Sequence, residues 1–177
     1  DKSLYTENAW NHITWGIVMN NQFVEMNQIG ICVRDLDRAI VNMKKIFGCD
    51  PSFVGETLKE CRKLNGKDGN FTAKIALFDF CNIQFEFIMP TEGESIWQDF
   101  LDEHGEGIQH VSFKVQDFSA AQQQMESSGV ATTQQGVAMA RPVRWDFWGT
   151  ERLLGFSVES SSPMDEPKEH PKYPFKN

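Results

Sequence analysis

The clearest hydrophobic pattern in the chain has a period of two and occurs twice. Its second copy spans residues 107–117, where apolar and polar positions alternate as they do in a β-strand with one buried face. The two faces are Val111, Phe113 and Val115 on one side, and His110, Ser112 and Lys114 on the other. Asp117 can cap a helix predicted over residues 118–128, because its carboxylate can accept hydrogen bonds from the free amides of the first helical turn.

The first copy of the pattern lies between Gln28 and Asp35. Its two faces are Ile29, Ile31 and Val33 on one side, and Gln28, Gly30 and Cys32 on the other. Asp35 precedes a helix predicted over residues 36–47, which has apolar residues at helical spacing and ends at Gly48. The interval from Gln28 to Asp35 equals the interval from His110 to Asp117, so the sequence contains one strand–helix module twice.

Each copy continues into further predicted strands, and one strand in each carries a glutamate among apolar residues. In residues 83–89, Glu86 shares a face with Gln84 and Ile88, opposite four apolar side chains. In residues 154–160, Glu159 shares a face with Gly155 and Ser157. A carboxylate inside an apolar strand costs several kcal/mol to bury unless it is paired or binds a cation. Both glutamates therefore need a partner.

Less regular segments connect these strands. Residues 95–103 are predicted to form an amphipathic connector helix between the two copies. Residues 65–69 read as a hairpin turn. The remaining predicted strands are residues 51–60, 61–64, 71–80, 130–140 and 141–150.

Composition narrows the class of protein. The 177 residues are 40% hydrophobic and include 14 Phe and 5 Trp, which is enough for the core of one domain. No apolar run approaches the roughly 18 residues of a membrane span, and no leader is evident, so we expect no membrane association. A net charge of −8 without a basic stripe argues against nucleic-acid binding and is typical of a cytoplasmic protein.

The four cysteines contain no C-x-x-C pair. Cys32 and Cys81 lie in or beside predicted strands, so we expect them to be buried as reduced thiols. The other two are Cys49 and Cys61.

We predict three regions along the chain. Residues 1–25 form an N-terminal extension, residues 26–160 the folded domain, and residues 161–177 a proline-rich tail. The domain divides into module one (26–90), the connector (91–106) and module two (107–160). His12 in the extension is interpreted as a surface or packing residue, because no helix-capping Asp follows it at the spacing of the module.

The inward-facing polar residues of the two modules suit a divalent cation. If the modules pair through a pseudo-twofold axis, the polar columns of both face one cavity. Two carboxylates, an imidazole and an amide oxygen would neutralise the ion and leave positions for water or substrate. These ligands are Gln28, Glu86, His110 and Glu159. The mixed oxygen and nitrogen donors leave Zn, Ni, Co, Mn and Fe open.

A purely structural interpretation competes with this one. The two glutamates could be salt-bridged, with Lys114 as the candidate partner of either, while Gln28 and His110 are merely hydrogen-bonded. The occurrence of such groups at equivalent positions of two modules favours the cation.

Two motifs resemble the vicinal oxygen chelate (glyoxalase/bleomycin-resistance/dioxygenase) superfamily. The first is Gln28–Ala39. The second combines Asn82–Pro90 with the connector and Gly105–Val111, and it resembles the methylmalonyl-CoA epimerase branch. The resemblance extends from about Met26 to Ser160, and the second motif is the more specific one.

The resemblance implies an α+β fold in which two paired βαβββ modules form a cupped, mostly antiparallel sheet with helices on its outer face. It implies a divalent metal at the four ligands above and frequently a homodimer. It also implies that the metal stabilises an enolate while Glu159 or Glu86 moves the α-proton. We therefore predict a metal-dependent isomerase, epimerase or lyase acting on a small carbonyl or acyl-thioester substrate. Ser112 and Lys114, together with Arg141, are candidates for binding an anionic part of that substrate.

The chain departs from the family pattern at three positions. Epimerases usually have His where this chain has Gln28, although zinc-type glyoxalase I has glutamine there. Cys32 stands at the position of the glutathione-contacting arginine of that glyoxalase. The second catalytic carboxylate of the epimerases falls near Asn70, which leaves Lys67 and Asp68 as candidates for returning the proton, although a turn is their simpler interpretation.

Two other functions stay open. An Fe(II) dioxygenase of the same superfamily would use two His and one Glu, which Gln28 makes less favourable. A metal-free, resistance-type protein would bind an aromatic ligand with Trp97, Trp145 and Trp148, although such aromatics more often belong to a core.

Overall fold

A computed structural model of the protein describes residues 21–57, 62–138 and 143–163. The predictions made for His12, Cys61, Arg141 and most of the tail lie outside these described residues.

The elements follow the predicted order of two modules joined by a helix. Module one contains β1 (Phe23–Cys32), α1 (Leu36–Phe47), β2 (Phe53–Glu56), β3 (Lys63–Leu64), β4 (Lys67–Asp68), β5 (Thr72–Phe80) and β6 (Ile83–Glu92). The connector is α2 (Ile96–His104). Module two contains β7 (Gly107–Val115), α3 (Phe118–Ser127), β8 (Thr132–Ala138), β9 (Val143–Trp148), α4 (Glu151–Leu154) and β10 (Ser157–Pro163).

All ten described strands belong to one mixed sheet that curls into a half-barrel. Their order is β2-β5-β6-β1-β7-β10-β9-β8-β3-β4. β1 and β7 pair antiparallel at the centre, and each also pairs in parallel with the last strand of its own module. The α+β fold class is therefore confirmed, and the two modules pair within one chain.

Both predicted helix caps are present. The side chain of Asp35 accepts a hydrogen bond from the amide of Arg38 at 2.9 Å, and that of Asp117 accepts one from Ala120 at 2.9 Å. Gly48 ends α1 in the left-handed conformation, with φ at 66°, which favours glycine. The repeated strand–Asp–helix device is thus the local signal that starts each module.

The helices α1 and α3 cover the outer face of the sheet. Apolar side chains of β5 and β6 pack with α1, and those of β7, β9 and β10 pack with α3. A third cluster is rich in aromatic residues and includes side chains of the connector α2: Cys32, Phe71, Trp97, Leu101, Trp145 and Phe147. Trp148 instead belongs to the cluster with α3, so it is a core residue.

The structure corrects several sequence-based expectations. The sheet begins at Phe23 and ends at Pro163, beyond the limits 26 and 160 predicted for the domain. The strand predicted to start at Leu154 starts at Ser157, because Leu154 belongs to the short helix α4. Cys32 is a buried free thiol as expected, but Cys81 is exposed, because it lies in the tight β5–β6 turn with φ at 58°.

The hairpin of β3 and β4 leaves module one and pairs with module two. The turn predicted over residues 65–69 is present, with Asn65 and Gly66 between the strands. β3 then pairs with β8, the edge strand of the other half-sheet. The hairpin therefore links the two modules a second time. No helix in the described part of the chain is long and apolar enough to cross a membrane.

Candidate functional site

Two rows of side chains cross the centre of the sheet on its concave face. Strand register places Gln84, Gln28, Ser112 and Glu159 side by side on β6, β1, β7 and β10. The next row on the same face, two residues along each strand, is Glu86, Gly30, His110 and Ser157. The period-two pattern of the sequence therefore brings both modules to one place.

The four predicted ligands meet where these rows adjoin. Nε2 of His110 lies 3.6 Å from Oε2 of Glu86 and 3.5 Å from Oε2 of Glu159. The side-chain oxygen of Gln28 lies 3.2 Å from Oε2 of Glu86 and 3.3 Å from Oε2 of Glu159. Two carboxylate oxygens, an amide oxygen and an imidazole nitrogen thus face one point.

His110 is fully buried and points its Nε2 at the two glutamates. Its Nδ1 lies 2.8 Å from the amide oxygen of Gln109, which can only accept, so Nδ1 carries a proton. Nε2 has no hydrogen-bond partner among the described residues, although it lies within 3.6 Å of both glutamates. A buried polar atom without a partner is costly, so Nε2 requires either a proton of its own or a bound cation.

Gly30 makes room for the ring of His110. A Cβ at this position would lie 1.7 Å from Cε1 of His110, a distance at which the two atoms overlap. The glycine is therefore required by the close approach of the imidazole to β1.

The Gln28 amide is held by two further residues. Its Nε2 donates to Oε1 of Gln84 at 2.9 Å, and Nε2 of Gln84 donates to Oδ1 of Asp79 at 2.8 Å. The Gln28 amide can face the glutamates with either end: its NH₂ group could donate to Glu86 and Glu159, whereas its oxygen faces them when Gln84 donates to Asp79.

The pKa of Glu159 is raised to about 7, first by burial and then by the nearby carboxylate of Glu86. His110 and the hydroxyl of Ser112 act in the opposite direction, since both stabilise the carboxylate. Glu159 is thus a carboxyl group that can gain or lose a proton near neutral pH.

The donor atoms fit a small divalent cation. Ligand atoms that share a tetrahedral ion at about 2.0–2.2 Å lie roughly 3.3–3.6 Å apart, and the spacings here are 3.2 to 3.6 Å. Within the described residues, no group of three or more His, Cys, Asp or Glu side chains forms a metal site by itself. The fit therefore depends on the amide oxygen of Gln28 as a fourth donor.

The site opens into a cavity of about 820 Å³. One wall is aromatic and contains Trp97, Trp145 and Phe147. The buried Arg62 lies against this wall, with its guanidinium carbon 4.9 Å from the ring centre of Trp145. The rest of the lining combines apolar side chains, such as Ile75 and Leu77, with polar ones, among them Glu25, Asp79 and Lys114.

The other predicted residues have different outcomes. Ser112 lies in the site, beside Glu159, and lines the cavity. Lys114 also lines the cavity, but it forms a salt bridge with Glu25 at 2.9 Å and with neither inner glutamate, so the structural pairing considered for it is wrong. The turn residues Lys67, Asp68 and Asn70 do not line the cavity.

Sequence reasoning missed three residues that orient the donors. Gln84 shares the polar face of its strand with Glu86, so the period-two pattern could have included it. Gln109 lies at a register shift between β1 and β7, so strict alternation assigns it to the apolar side of β7 although its side chain contacts the His110 ring. A glutamine at an apolar position was the available signal. Asp79 was not detectable, because it reaches Gln28 only through strand pairing.

Residues 27–147 match the sequence profile of the Glyoxalase/Bleomycin resistance protein/Dioxygenase superfamily. The match ends before Glu159, so that residue is placed at the site by the structure. No curated protein sequence matches the chain.

Solved structures with a similar fold include several epimerases. The chain resembles methylmalonyl-CoA epimerase from Mycobacterium tuberculosis with a TM-score of 0.65 and 22% identity, over 84% of this chain and 94% of that one. A Streptomyces coelicolor methylmalonyl-CoA epimerase in complex with 2-nitronate-propionyl-CoA has a TM-score of 0.63 and 17% identity, over 81% of this chain and 96% of that one. A hypothetical protein from Bacillus halodurans has a TM-score of 0.63 and 19% identity, over 80% of this chain and 96% of that one. At these identities the likeness concerns the fold.

Proposed function

Because the chain belongs to the glyoxalase/bleomycin resistance protein/dioxygenase superfamily, we propose that it is a divalent-cation-dependent isomerase, epimerase or lyase. Its reaction moves the α-proton of a small carbonyl or acyl-thioester substrate. One observation carries this proposal: side-chain atoms of Gln28, Glu86, His110 and Glu159 converge, and the two carboxylates among them repel each other unless a cation or a proton lies between them.

The four residues would hold the cation through two carboxylates, one amide oxygen and one imidazole nitrogen. When bound, a divalent cation acidifies the carbon next to a carbonyl by withdrawing charge from the carbonyl oxygen. Neutral ligands alone would not balance such an ion, whereas Glu86 and Glu159 supply two negative charges.

Glu159 is the proposed proton carrier. A base with a pKa near the working pH combines an available lone pair with a sufficient driving force for transfer in both directions. Without a bound cation, burial raises the pKa of Glu159 to about 7. A bound cation would lower this pKa, so the carboxylate would be ionised and available as a base. Ser112 beside it can keep the carboxylate oriented through the hydrogen bond to its hydroxyl.

The cavity supports a substrate larger than the reacting carbonyl group. Its aromatic wall can exclude water from the reacting carbon, and its lining also includes polar residues such as Lys114 and Ser161. An acyl thioester is an extended molecule that would use both parts. The epimerases of similar fold, one of them in complex with 2-nitronate-propionyl-CoA, support this substrate class.

Return of the proton from the opposite side would need a second acid. Asp68 does not line the cavity, whereas Glu56 on the edge strand β2 does. Glu56 accepts a hydrogen bond from Thr91 at 3.4 Å. Strand register, however, pairs Glu56 with Lys74 and Lys74 with Met89, which packs with α1, so Glu56 is not assigned this role. The homodimer and the cytoplasmic location remain predictions from the sequence.

Metal content is the first test. Untagged protein purified without chelator should contain about one divalent ion per chain, measured by elemental analysis. Glu86→Gln and His110→Ala should both lose it, since the first removes one of the two negative charges and the second removes the imidazole donor. The loaded protein should then catalyse exchange of the α-proton of 2-oxo acids or acyl thioesters with deuterium from solvent. Protein that stays metal-free after incubation with Zn, Ni, Co or Mn would contradict the proposal.

A second candidate function is metal-free binding of an aromatic ligand. It is favoured by the aromatic wall, where the buried indole nitrogen of Trp97 has no hydrogen-bond partner within the described part of the chain. Quenching of tryptophan fluorescence by aromatic compounds in the presence of chelator would support it. It leaves the convergence of Glu86 and Glu159 unexplained, and it therefore ranks second.

A further inference from the structure

We propose that Asp79 is a positioning residue that determines which end of the Gln28 amide faces the inner glutamates. It acts through Gln84, and this role deepens the proposed function because it concerns one of the proposed cation ligands. Asp79, Gln84 and Gln28 are direct neighbours on β5, β6 and β1. Their side chains form a chain of two hydrogen bonds of 2.8 and 2.9 Å.

The hydrogen bond between the side-chain amides of Gln28 and Gln84 could form with either residue as the donor. Each amide has a donor end and an acceptor end, so rotating both amides by half a turn would preserve a hydrogen bond between them. A carboxylate can only accept hydrogen bonds. Asp79 therefore favours the direction in which Gln84 donates to it, and Gln84 must then accept from Gln28.

The reversed direction would suit the glutamates better when no cation is present. The NH₂ group of Gln28 would then lie 3.2 Å from Glu86 and 3.3 Å from Glu159 and could donate to both. It would, however, turn the oxygen of Gln84 toward the carboxylate of Asp79. The glutamates at one end of this series of hydrogen bonds and Asp79 at the other therefore favour opposite amide orientations. Asp79 opposes the orientation in which Gln28 donates to Glu86 and Glu159.

The consequence is a site prepared for a cation. With the amide oxygen inward, Gln28 offers the two glutamates an acceptor and no donor, so the oxygen atoms of the three side chains face one another. With the amide nitrogen inward, the same space would be closed by hydrogen bonds, and a cation would have to reverse two side chains before it could bind.

The experiment uses Asp79→Asn, which keeps the shape of the side chain and lets it donate as well as accept. Cobalt(II) affinity is measured by calorimetry on the full chain. We expect it to fall by about 10- to 100-fold, the usual effect of removing a residue that orients a metal ligand. Asp37→Asn on the outer helix α1 removes the same charge and should leave the affinity unchanged.

A second substitution should restore the affinity. Glu at position 84 can only accept, so it holds the NH₂ group of Gln28 whatever residue stands at position 79. Asp79→Asn combined with Gln84→Glu should therefore bind cobalt(II) within a few-fold of the parent. If Asp79→Asn weakened binding by impairing folding, the substitution of Gln84 would not restore the cobalt(II) affinity. Unchanged affinity in Asp79→Asn, or no recovery in the double variant, would overturn the proposal.

Amide orientation can also be measured without metal. In chelator-treated protein, NMR should show coupling across the hydrogen bond from the Gln28 side-chain nitrogen to the Gln84 carbonyl carbon, and this coupling should disappear in Asp79→Asn. Absence of the coupling in the parent, or its persistence in the variant, would overturn the role of Asp79. If the coupling behaves as expected but the parent binds no cation, the positioning role stands and the proposed function fails.

Discussion

Gly30 lies beneath the imidazole of His110, so the size of a single side chain controls the site. In Gly30→Ala the new methyl group would overlap the ring, whose Cε1 is 1.7 Å from the Cβ position. We expect loss of cation binding and a destabilisation of about 1–3 kcal/mol, the usual effect of overpacking. Calorimetry and urea denaturation measure the two effects. Gly107→Ala is the matched control, since its Cβ would meet only Phe100 at 3.9 Å.

Ionisation of Glu159 should lower the free energy of unfolding, whereas ionisation of most carboxyl groups in folded proteins raises it. Burial raises its pKa from 4.5 to about 7, so the folded state holds the proton more tightly than the unfolded state. In chelator-treated protein, its contribution to the free energy of unfolding is full below pH 4.5 and decreases as the pH rises through about 7.

Urea denaturation at several pH values measures this contribution. Glu159→Gln cannot ionise, so the difference in unfolding free energy between the parent and this variant should change in favour of the variant between pH 5 and pH 8. A difference that is constant over this range would contradict burial as the cause of the raised pKa.

At the scale of elements, each module begins with the same cap. Asp35 and Asp117 each accept one hydrogen bond of 2.9 Å from the first turn of a helix that covers the sheet. Replacing either by Ala should destabilise the protein by about 1 kcal/mol, with a range of 0.5–2. Replacing it by Ser, which can also cap, should restore most of the loss. Equal stability of the Ala and Ser variants would show that the caps contribute little.

At the scale of the whole molecule, one chain holds a complete site. β1 and β7 pair within the chain, and this pairing places Glu86 of module one beside His110 of module two. A mixture of Glu86→Gln and His110→Ala, unfolded and refolded together, should therefore regain no cation binding. If modules paired between subunits of a dimer, about one quarter of the sites would be restored by random association. Elemental analysis of the refolded mixture distinguishes these outcomes.

The sequence alone determined the parts of this protein that depend on local order. The two strand faces, both Asp caps, the connector helix and the inward position of Gln28, Glu86, His110 and Glu159 all follow from residues a few positions apart. A strand turns successive side chains to opposite faces, and a helix cap involves neighbours in the chain. These features were therefore predictable without knowing which strands pair.

Only the tertiary structure decided the contacts between residues that are distant in sequence. Pairing of β1 with β7 in one chain, the crossing of the β3–β4 hairpin to β8, and the partner of Lys114 depend on lateral strand neighbours. So does the direction of the Gln28 amide, which Asp79 influences from two strands away. Hydrogen bonds across a sheet join residues that no sequence spacing relates, because strand order and register are properties of the assembled fold.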